Sequence, residues 1–308
     1  THTYIAIAKI GISFPKSLYV EGLLLKDLNH DTLIYAGSAK VNMDMIGLLH
    51  SKIHFKSIAL EDVTANLSRA ENDTTFNFNF LLTAFSDTTK KEKVKQPKTS
   101  KTDLSIDDVS LKNIRFIYND KHSGVYASAK FSELILSIDK LDVDDLIFKV
   151  DELTLDHLQS KVLISKKSNS GSSGPPQQMP VISANNISIK NSAFTFEDWI
   201  GKQTIFSNIP ELELKNAAVD LNKSSVSLDE LQLAKSNTGI NTTDIPKTGT
   251  DTTGSASVTE NNWTVAAKKI KLTENRFSYN VQNKPELKKV FDPAHIHYSN
   301  ISVAAEDL

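Results

Sequence analysis

Few residues of this 308-residue chain have the types and spacing that chemistry requires. His295 and His297 would place two imidazoles on one face of a strand, which is a possible metal pair, but no third ligand is identifiable nearby. Asp142, Asp144 and Asp145 resemble half of a calcium loop, yet no glycine and no closing glutamate follow at the required distance. These patterns favour surface histidines and a solvated turn over metal sites.

Enzyme signatures are absent from the sequence. It contains no nucleophile elbow, no zinc-protease motif, no P-loop and no glycine-rich dinucleotide fingerprint. The absence of cysteine excludes disulfide bonds, thiolate zinc sites, iron–sulfur clusters and a cysteine nucleophile. We therefore expect a protein that is not an enzyme and needs no cofactor and no metal.

Charge and hydropathy exclude two further classes. The chain has 35 Lys and Arg against 37 Asp and Glu, and this balance argues against nucleic acid as a partner. No window approaches the 18 or so consecutive apolar residues of a membrane-spanning helix. Because residue 1 is Thr and no signal peptide is visible, we expect a soluble piece of a longer protein whose targeting or anchor segment lies upstream.

The dominant local pattern is an alternation of apolar and polar residues, which is typical of strands with one apolar face and one wet face. It recurs along most of the chain, for example at Phe194 and Phe196 and at Phe277 and Tyr279. Helical periodicity is scarce. It predicts at most two short helices, at Met43–Leu49 and Pro285–Phe291.

Three twelve-residue segments share one pattern: apolar-x-apolar, a polar pair, and apolar-x-apolar again. They begin at Val109, Ile187 and Ile270, and each has Phe at its eighth place and an aromatic residue at its tenth. Shorter echoes begin at Ile58 and Leu212. The pattern predicts two strand pieces joined at a polar bend or bulge, repeated in a one-dimensional array whose units pack mainly on their neighbours. The alternative is chance similarity among amphipathic strands.

Polar segments with almost no apolar residues separate the repeats, and we expect them to be exposed and mobile. The Lys-rich segment could contact anionic lipid headgroups, although an ordinary linker is the simpler interpretation. The chain divides into an N-terminal region (1–85), a Lys-rich linker (86–103), a β block (104–165), a Ser/Gly/Pro linker (166–180), a second β block (181–235), a polar loop (236–260) and the start of a further β block (261–308).

The N-terminal region carries the most specific motifs. FPKSLYVEG at Phe14–Gly22, DTLIYAG at Asp31–Gly37 and DTTFNFNFLLTAF at Asp73–Phe85 follow one another in this order. In these motifs the chain resembles the N-terminal region of TamB-like translocation and assembly module proteins of Bacteroidetes-type bacteria, within the AsmA-like group. The later blocks resemble that family only as repeated strands.

The resemblance implies a long periplasmic β protein held to the inner membrane by an anchor upstream of residue 1. In such proteins the repeats curl into a groove with an apolar lining. The family is linked to outer-membrane biogenesis, either by carrying phospholipid between membranes or by helping an outer-membrane assembly barrel. The anchor and the family's C-terminal domain are missing from this sequence, and the resemblance places any contact with an assembly barrel in those missing parts.

A long sheet with one apolar face must fold over, pack on another sheet or hold an apolar ligand. We therefore predict an all-β, elongated and repetitive antiparallel sheet, curled into an open groove or half-pipe that binds the acyl chains of phospholipid. The alternatives are a closed sandwich core and a scaffold that pairs with strands of unfolded outer-membrane proteins. The groove candidates are Ile114, Phe116, Leu146, Phe148, Phe194, Phe196, Phe277 and Tyr279.

Overall fold

The fold is one large sheet. The computed structural model describes residues 3–13, 17–43, 52–86, 103–142, 145–167, 179–244 and 263–307. Within this part of the chain there are fifteen strands and one short helix, α1, at Asn79–Ser86. All fifteen strands belong to the same hydrogen-bonded sheet, so the all-β prediction is confirmed.

The strands before the first repeat are β1 (Ile5–Ala6), β2 (Lys9–Ser13), β3 (Ser17–Lys26), β4 (Thr32–Met43) and β5 (Lys52–Arg69). The first block contains β6 (Asp103–Asp120), β7 (Val125–Asp142), β8 (Ile147–Asp156) and β9 (Gln159–Ile164). The second contains β10 (Val181–Asp198), β11 (Gln203–Asp220), β12 (Ser225–Ala234) and β13 (Asn237–Thr242), and the third contains β14 (Thr264–Val281) and β15 (His295–Glu306).

The strands lie in the sheet almost in chain order, from β1 and β2 at one edge to β15 at the other. The prediction of a purely antiparallel sheet is wrong, because β5 with β6, β8 and β9 with β10, and β12 and β13 with β14 are parallel pairs. Each of these parallel pairs joins strands on either side of a long connection: residues 70–102 lie between β5 and β6, and residues 165–180 lie between β9 and β10. Parallel pairing requires a connection of a dozen or more residues.

The blocks repeat in structure as they do in sequence. β10, β11, β12 and β13 each begin 78 residues after β6, β7, β8 and β9. The three twelve-residue segments form the last twelve residues of β6, β10 and β14. The repeat prediction is therefore confirmed, and chance similarity among strands is excluded as its explanation.

The polar bend predicted at the fifth place of each repeated segment is also present. Asn113, Asn191 and Glu274 occupy this place and have φ values of 53°, 49° and 54°. Asp62 and Asn216 occupy it in the two shorter echoes and have φ values of 55° and 49°. The left-handed region is uncommon for residues other than glycine, and Asn and Asp tolerate it best. The extra residue lets the apolar series resume one position later, as a bulge does.

The same bend crosses β3 and β4, where glycines replace the polar residue. The ladder between β3 and β4 skips Gly22 and Gly37, and the ladder between β4 and β5 skips Gly37 and Asp62. Gly22 has a φ of 62°, and a Cβ at Gly37 would lie 2.9 Å from the Cβ of Asp62. Two of the N-terminal motifs therefore end in glycine where the bend crosses their strands.

The sheet has no dry core among the residues that the structure describes. Only six apolar residues are buried there: Leu25, Leu33, Ala36, Ala184, Ala267 and Val281. The closed sandwich that the sequence left open would bury many more, because its inner side chains interdigitate between two sheets. The apolar residues of the long strands are mostly half-buried instead.

Several local predictions need correction. Residues 285–291 form an irregular segment with a bend at 288–290 rather than a helix, and the backbone N–H of Leu287 donates to the side chain of Asp292. The prediction of a polar loop at 236–260 is wrong in its first part, because residues 237–242 form β13, which pairs with β11 and β14. Most of the helix predicted at Met43–Leu49, and most of the three linkers, lie outside the described residues, so their predicted mobility stays a prediction.

Candidate functional site: an apolar face across the sheet

The most extensive feature is a pair of apolar rows that cross the sheet at right angles to its strands. Partners in the ladder of a sheet have side chains on the same face, so the register identifies each row. Each row contains one residue from each of twelve strands, and along every strand the residues of the two rows are two positions apart. At about 4.8 Å between strands, each row is about 50 Å long.

Row 1 consists of Ile12, Leu18, Val41, Ile58, Val109, Leu136, Leu153, Ile187, Leu214, Leu231, Ile270 and Ala305. Row 2 consists of Ile10, Val20, Ala39, Leu60, Leu111, Leu134, Leu155, Ile189, Leu212, Leu233, Leu272 and Val303. Neither row contains a polar residue.

No residue of rows 1 and 2 is buried. Ile10, Ile12 and Val303, which lie near the two edges of the sheet, are 59%, 74% and 46% exposed, and the others are half-buried. Monomeric soluble proteins rarely expose a continuous apolar surface of this length, and such surfaces mark binding sites.

The three repeated phenylalanines lie on one row, as the repeat predicts, but that row is interrupted. Row 3 runs through Ile5, Leu25, Ile34, Ala65, Phe116, Ala129, Ser160, Phe194, Ser207, Thr238, Phe277 and Tyr298. The hydroxyls of Ser207 and Thr238 are 2.8 Å apart and hydrogen-bonded. Hydroxyl groups therefore separate the Phe rings along this row.

Row 4 is more continuous. It contains Leu67, Tyr118, Ala127, Val162, Phe196, Ile205, Ile240, Tyr279 and Ile296. At one end the ring of Phe76 packs beside Tyr118, with 5.6 Å between ring centroids. Asn77, next to Phe76, exchanges hydrogen bonds with the backbone of Ser68, so this part of the DTTFNFNF motif extends the sheet where β4 is shorter than β5.

Seven of the eight predicted residues fall on these rows or on parallel ones. Ile114 lies just past the bend, paired with Val63 and Phe131, and Phe148 pairs with Ile182 near the other end of the strands. Leu146 is the exception. It is a turn residue with a φ of 51°, because β8 begins only at Ile147.

Rows 1 and 2 were not singled out from the sequence, although a signal for them existed. They occupy the first and third places of the repeated segments, such as Val109 and Leu111 or Ile187 and Ile189. The phenylalanines at the eighth place were more conspicuous. Only the strand register reveals that the first and third places lie on rows that are apolar in every strand, whereas the eighth place lies on a row that contains Ser and Thr.

The bend itself introduces polar groups into the apolar face. β8 and β9 are separated by His157 and Leu158, and the backbone N–H of Leu158 donates to Ser192 Oγ over 3.2 Å. At the matching break, Ser236 N–H donates to Asn275 Oδ1 over 2.8 Å. Ser192, Ser236 and Asn275 are all buried. Backbone groups freed by the two breaks thus find partners, as buried polar groups must.

An ion pair closes the far end of β5 and β6. Arg69 Nε donates to Asp120 Oδ1 over 2.8 Å, and Asp120 is 2% exposed. The same carboxylate accepts from the hydroxyl of Ser123 over 2.6 Å. These contacts, with that of Arg69 foremost, hold the pKa of Asp120 well below its usual range despite burial.

The opposite face of the sheet is mostly polar. Residues adjacent in sequence to those of rows 1 and 2 form cross-strand ion pairs there, such as Lys112 with Glu133 at 3.5 Å and Lys215 with Glu230 at 2.7 Å. The hydrogen bond from Lys215 lowers the pKa of Glu230. The sequence expectation of one apolar and one wet face is therefore confirmed.

Three of the residues considered for metal binding, His295, Asp142 and Asp145, have other partners, and Asp144 lies outside the described residues. Nδ1 of His295 lies 2.8 Å from Asp292 Oδ2, and Asp142 Oδ1 accepts the backbone N–H of Asp145 over 3.0 Å. Among the described residues no group of three or more His, Asp and Glu side chains is placed to hold a metal ion.

Comparison with known proteins gives no identification. No protein-family model matches the chain, and no curated protein and no solved structure matches it either. In the described part of the chain, no helix is long and apolar enough to cross a membrane.

Proposed function

We propose that this protein binds phospholipid acyl chains on the apolar face of its sheet and helps carry lipid between the inner and outer membranes, without catalysis. The observation that carries the proposal is the pair of unbroken rows, 1 and 2, none of whose residues is buried. An acyl chain needs apolar walls and few directional contacts. The polar opposite face keeps such a sheet hydrated on its other side.

The bends support a groove on this face. The ladder between β5 and β6 skips Lys56 and Asp107, and again Asp62 and Asn113, on either side of rows 1 and 2. Bulged positions bend strands and increase their twist. We infer that rows 1 and 2 form the floor of a half-pipe whose walls contain Phe148 on one side and rows 3 and 4 on the other.

A site-specific crosslinking experiment tests this function. A photoreactive amino acid at Leu212, on row 2, is expected to crosslink to phospholipid in cells. The same group at Glu213, whose side chain lies on the opposite face, is the matched control. Equal crosslinking at both positions, or none at Leu212 in a folded protein, would contradict the proposal. Lipid extraction and native mass spectrometry of the purified chain supply an independent readout.

A further inference from the structure

The hairpin of β14 and β15 differs from the corresponding hairpins of the two earlier blocks, β6–β7 and β10–β11. Four residues separate Asp120 from its partner Val125, and four separate Asp198 from Gln203. Between β14 and β15, Val281 N–H bonds to the carbonyl of Ala294, and twelve residues, 282–293, lie between them. We call residues 282–293 the β14–β15 loop. A loop this much longer than its counterparts usually has a function of its own.

The β14–β15 loop exposes large apolar side chains. Leu287, Val290 and Phe291 are 53%, 64% and 74% exposed. Lys288 and Lys289 lie between them and are also exposed, and no ion pair is found for either lysine in the described part of the chain. Exposed Phe, Val and Leu beside lysines are costly in water unless another surface takes them up.

The loop is held in a defined shape. Asp292 Oδ2 accepts the backbone N–H of Leu287 and faces His295 Nδ1, each over 2.8 Å, and Oδ1 accepts Ala294 N–H over 2.9 Å. These bonds, led by the one from Leu287, keep the pKa of Asp292 at about 2, so its carboxylate is charged at neutral pH. The apolar side chains are therefore presented on a fixed scaffold.

The composition of the loop discriminates between two kinds of partner. Lysine is depleted in protein–protein interfaces. Beside an anionic bilayer, lysines gain from the surface potential while neighbouring Phe, Leu and Val enter the boundary between headgroups and acyl chains.

We propose that the β14–β15 loop docks on an anionic phospholipid bilayer, with Leu287, Val290 and Phe291 inserted and Lys288 and Lys289 facing the headgroups. A cavity of about 340 Å³ lies between the loop and Tyr279 of row 4. Leu287, which lines this cavity, thus lies next to the apolar face of the sheet. This surface is separate from rows 1 and 2, and its binding to a bilayer does not depend on lipid transport.

Flotation with vesicles of phosphatidylcholine, with or without phosphatidylglycerol, tests the proposal. The protein is expected to float with the anionic vesicles and not with the neutral ones. Lys288→Ala/Lys289→Ala should weaken binding about thirtyfold, and Val290→Ser/Phe291→Ser should weaken it comparably. Replacing residues 282–293 with the four-residue β6–β7 turn should lower binding at least as much, and far-ultraviolet circular dichroism checks that each variant is folded.

The matched control is Ile135→Ser. Ile135 lies between Leu134 of row 2 and Leu136 of row 1, so its side chain is on the opposite face of the sheet, and it is 41% exposed. The control should bind vesicles as the unmodified chain does. Unchanged binding in the folded turn replacement, equal binding to neutral vesicles, or no binding to either kind of vesicle each overturns the proposal. Undiminished binding of the turn replacement would assign any vesicle affinity to another part of the chain, such as the Lys-rich segment 86–103.

Discussion

Phe194 and Ser207 are direct partners in the β10–β11 ladder, so a hydroxyl faces the ring of the central repeated phenylalanine. Ser207 also bonds to Thr238 on the next strand, 2.8 Å away. Row 3 is therefore aromatic at intervals, whereas rows 1 and 2 are aliphatic in every strand. Rows 1 and 2 are therefore the better paths for an acyl chain, and row 3 is the poorer one.

The first prediction makes row 3 continuously apolar from Phe194 to Tyr298. Ser207→Val/Thr238→Val removes both partners of one hydrogen bond, so neither is left unsatisfied and stability should change by less than about 1 kcal/mol. The amount of phospholipid that co-purifies with the chain, measured by lipid extraction, should rise. A fall in bound lipid with an unchanged melting temperature would contradict the ranking of the rows.

The second prediction compares a charge on row 3 with one on row 2. Phe194 is 37% exposed and Leu212 is half-buried, so neither carboxylate would be fully desolvated, and Phe194→Asp and Leu212→Asp should both remain folded. In a full-length protein, each change should block lipid passage while expression and the far-ultraviolet spectrum stay near normal. Leu212→Asp should remove more co-purifying lipid, because row 2 has no other polar residue.

Glu213→Gln, on the opposite face, is the control for these two variants and should leave bound lipid unchanged. A folded Phe194→Asp or Leu212→Asp variant with full lipid transport would count against the apolar face as the lipid path.

Much of this architecture could be predicted from the sequence because the repeat is local. The twelve-residue pattern determined both the strands and the bend, and the left-handed residues Asn113, Asn191 and Asn216 lie at the predicted place. Strand direction could not be predicted in the same way. It depends on where a long connection leads the chain to a parallel partner, and the repeat pattern does not specify that. In addition, the sequence of the short β13 (Asn237–Thr242) resembles a polar loop.

The candidate site was predicted in part, for a related reason. Alternation shows that Phe116 and Phe194 are on the apolar side of their strands, but not which residues oppose them. Ser160 and Ser207 flank Phe194 only through a register that long-range pairing determines. The continuity of rows 1 and 2 depends on the same register, so no single repeat reveals it.

The third prediction concerns the polar groups at the bend. Asn275→Leu removes the acceptor of Ser236 N–H and the donor to the carbonyl of Leu233, and leaves the buried N–H of Ser236 without this partner. We expect a loss of about 2 kcal/mol in the free energy of unfolding, measured by urea denaturation. Ser192→Ala removes a longer bond, to Leu158 N–H, and should cost about 1 kcal/mol. If Asn275→Leu were as stable as the unmodified chain, the bend would not need its polar partner.

The fourth prediction tests the ion pair between Asp120 and Arg69. The pKa of the Asp120 carboxyl is lowered in the folded state, and the hydrogen bond from Arg69 is the largest cause. A lowered folded pKa contributes stability above the unfolded value of about 3.9, and that stability is lost as the pH falls through this value toward the folded one. Asp120→Asn should therefore lower stability by about 3 kcal/mol at neutral pH and flatten its fall below about pH 4.

Asp198→Asn is the matched control, because Asp198 lies 78 residues later at the same hairpin position. Its carboxylate accepts the backbone N–H groups of Ile200 and Gly201, each over 2.9 Å, and within the described residues no ion pair with a cation is found for it. An asparagine oxygen can accept the same two bonds, so this variant should lose less than about 1 kcal/mol. Urea denaturation between pH 3 and pH 7 separates the two variants, and equal losses at every pH would mean that Asp120 stabilises its turn alone and that the contact with Arg69 contributes nothing.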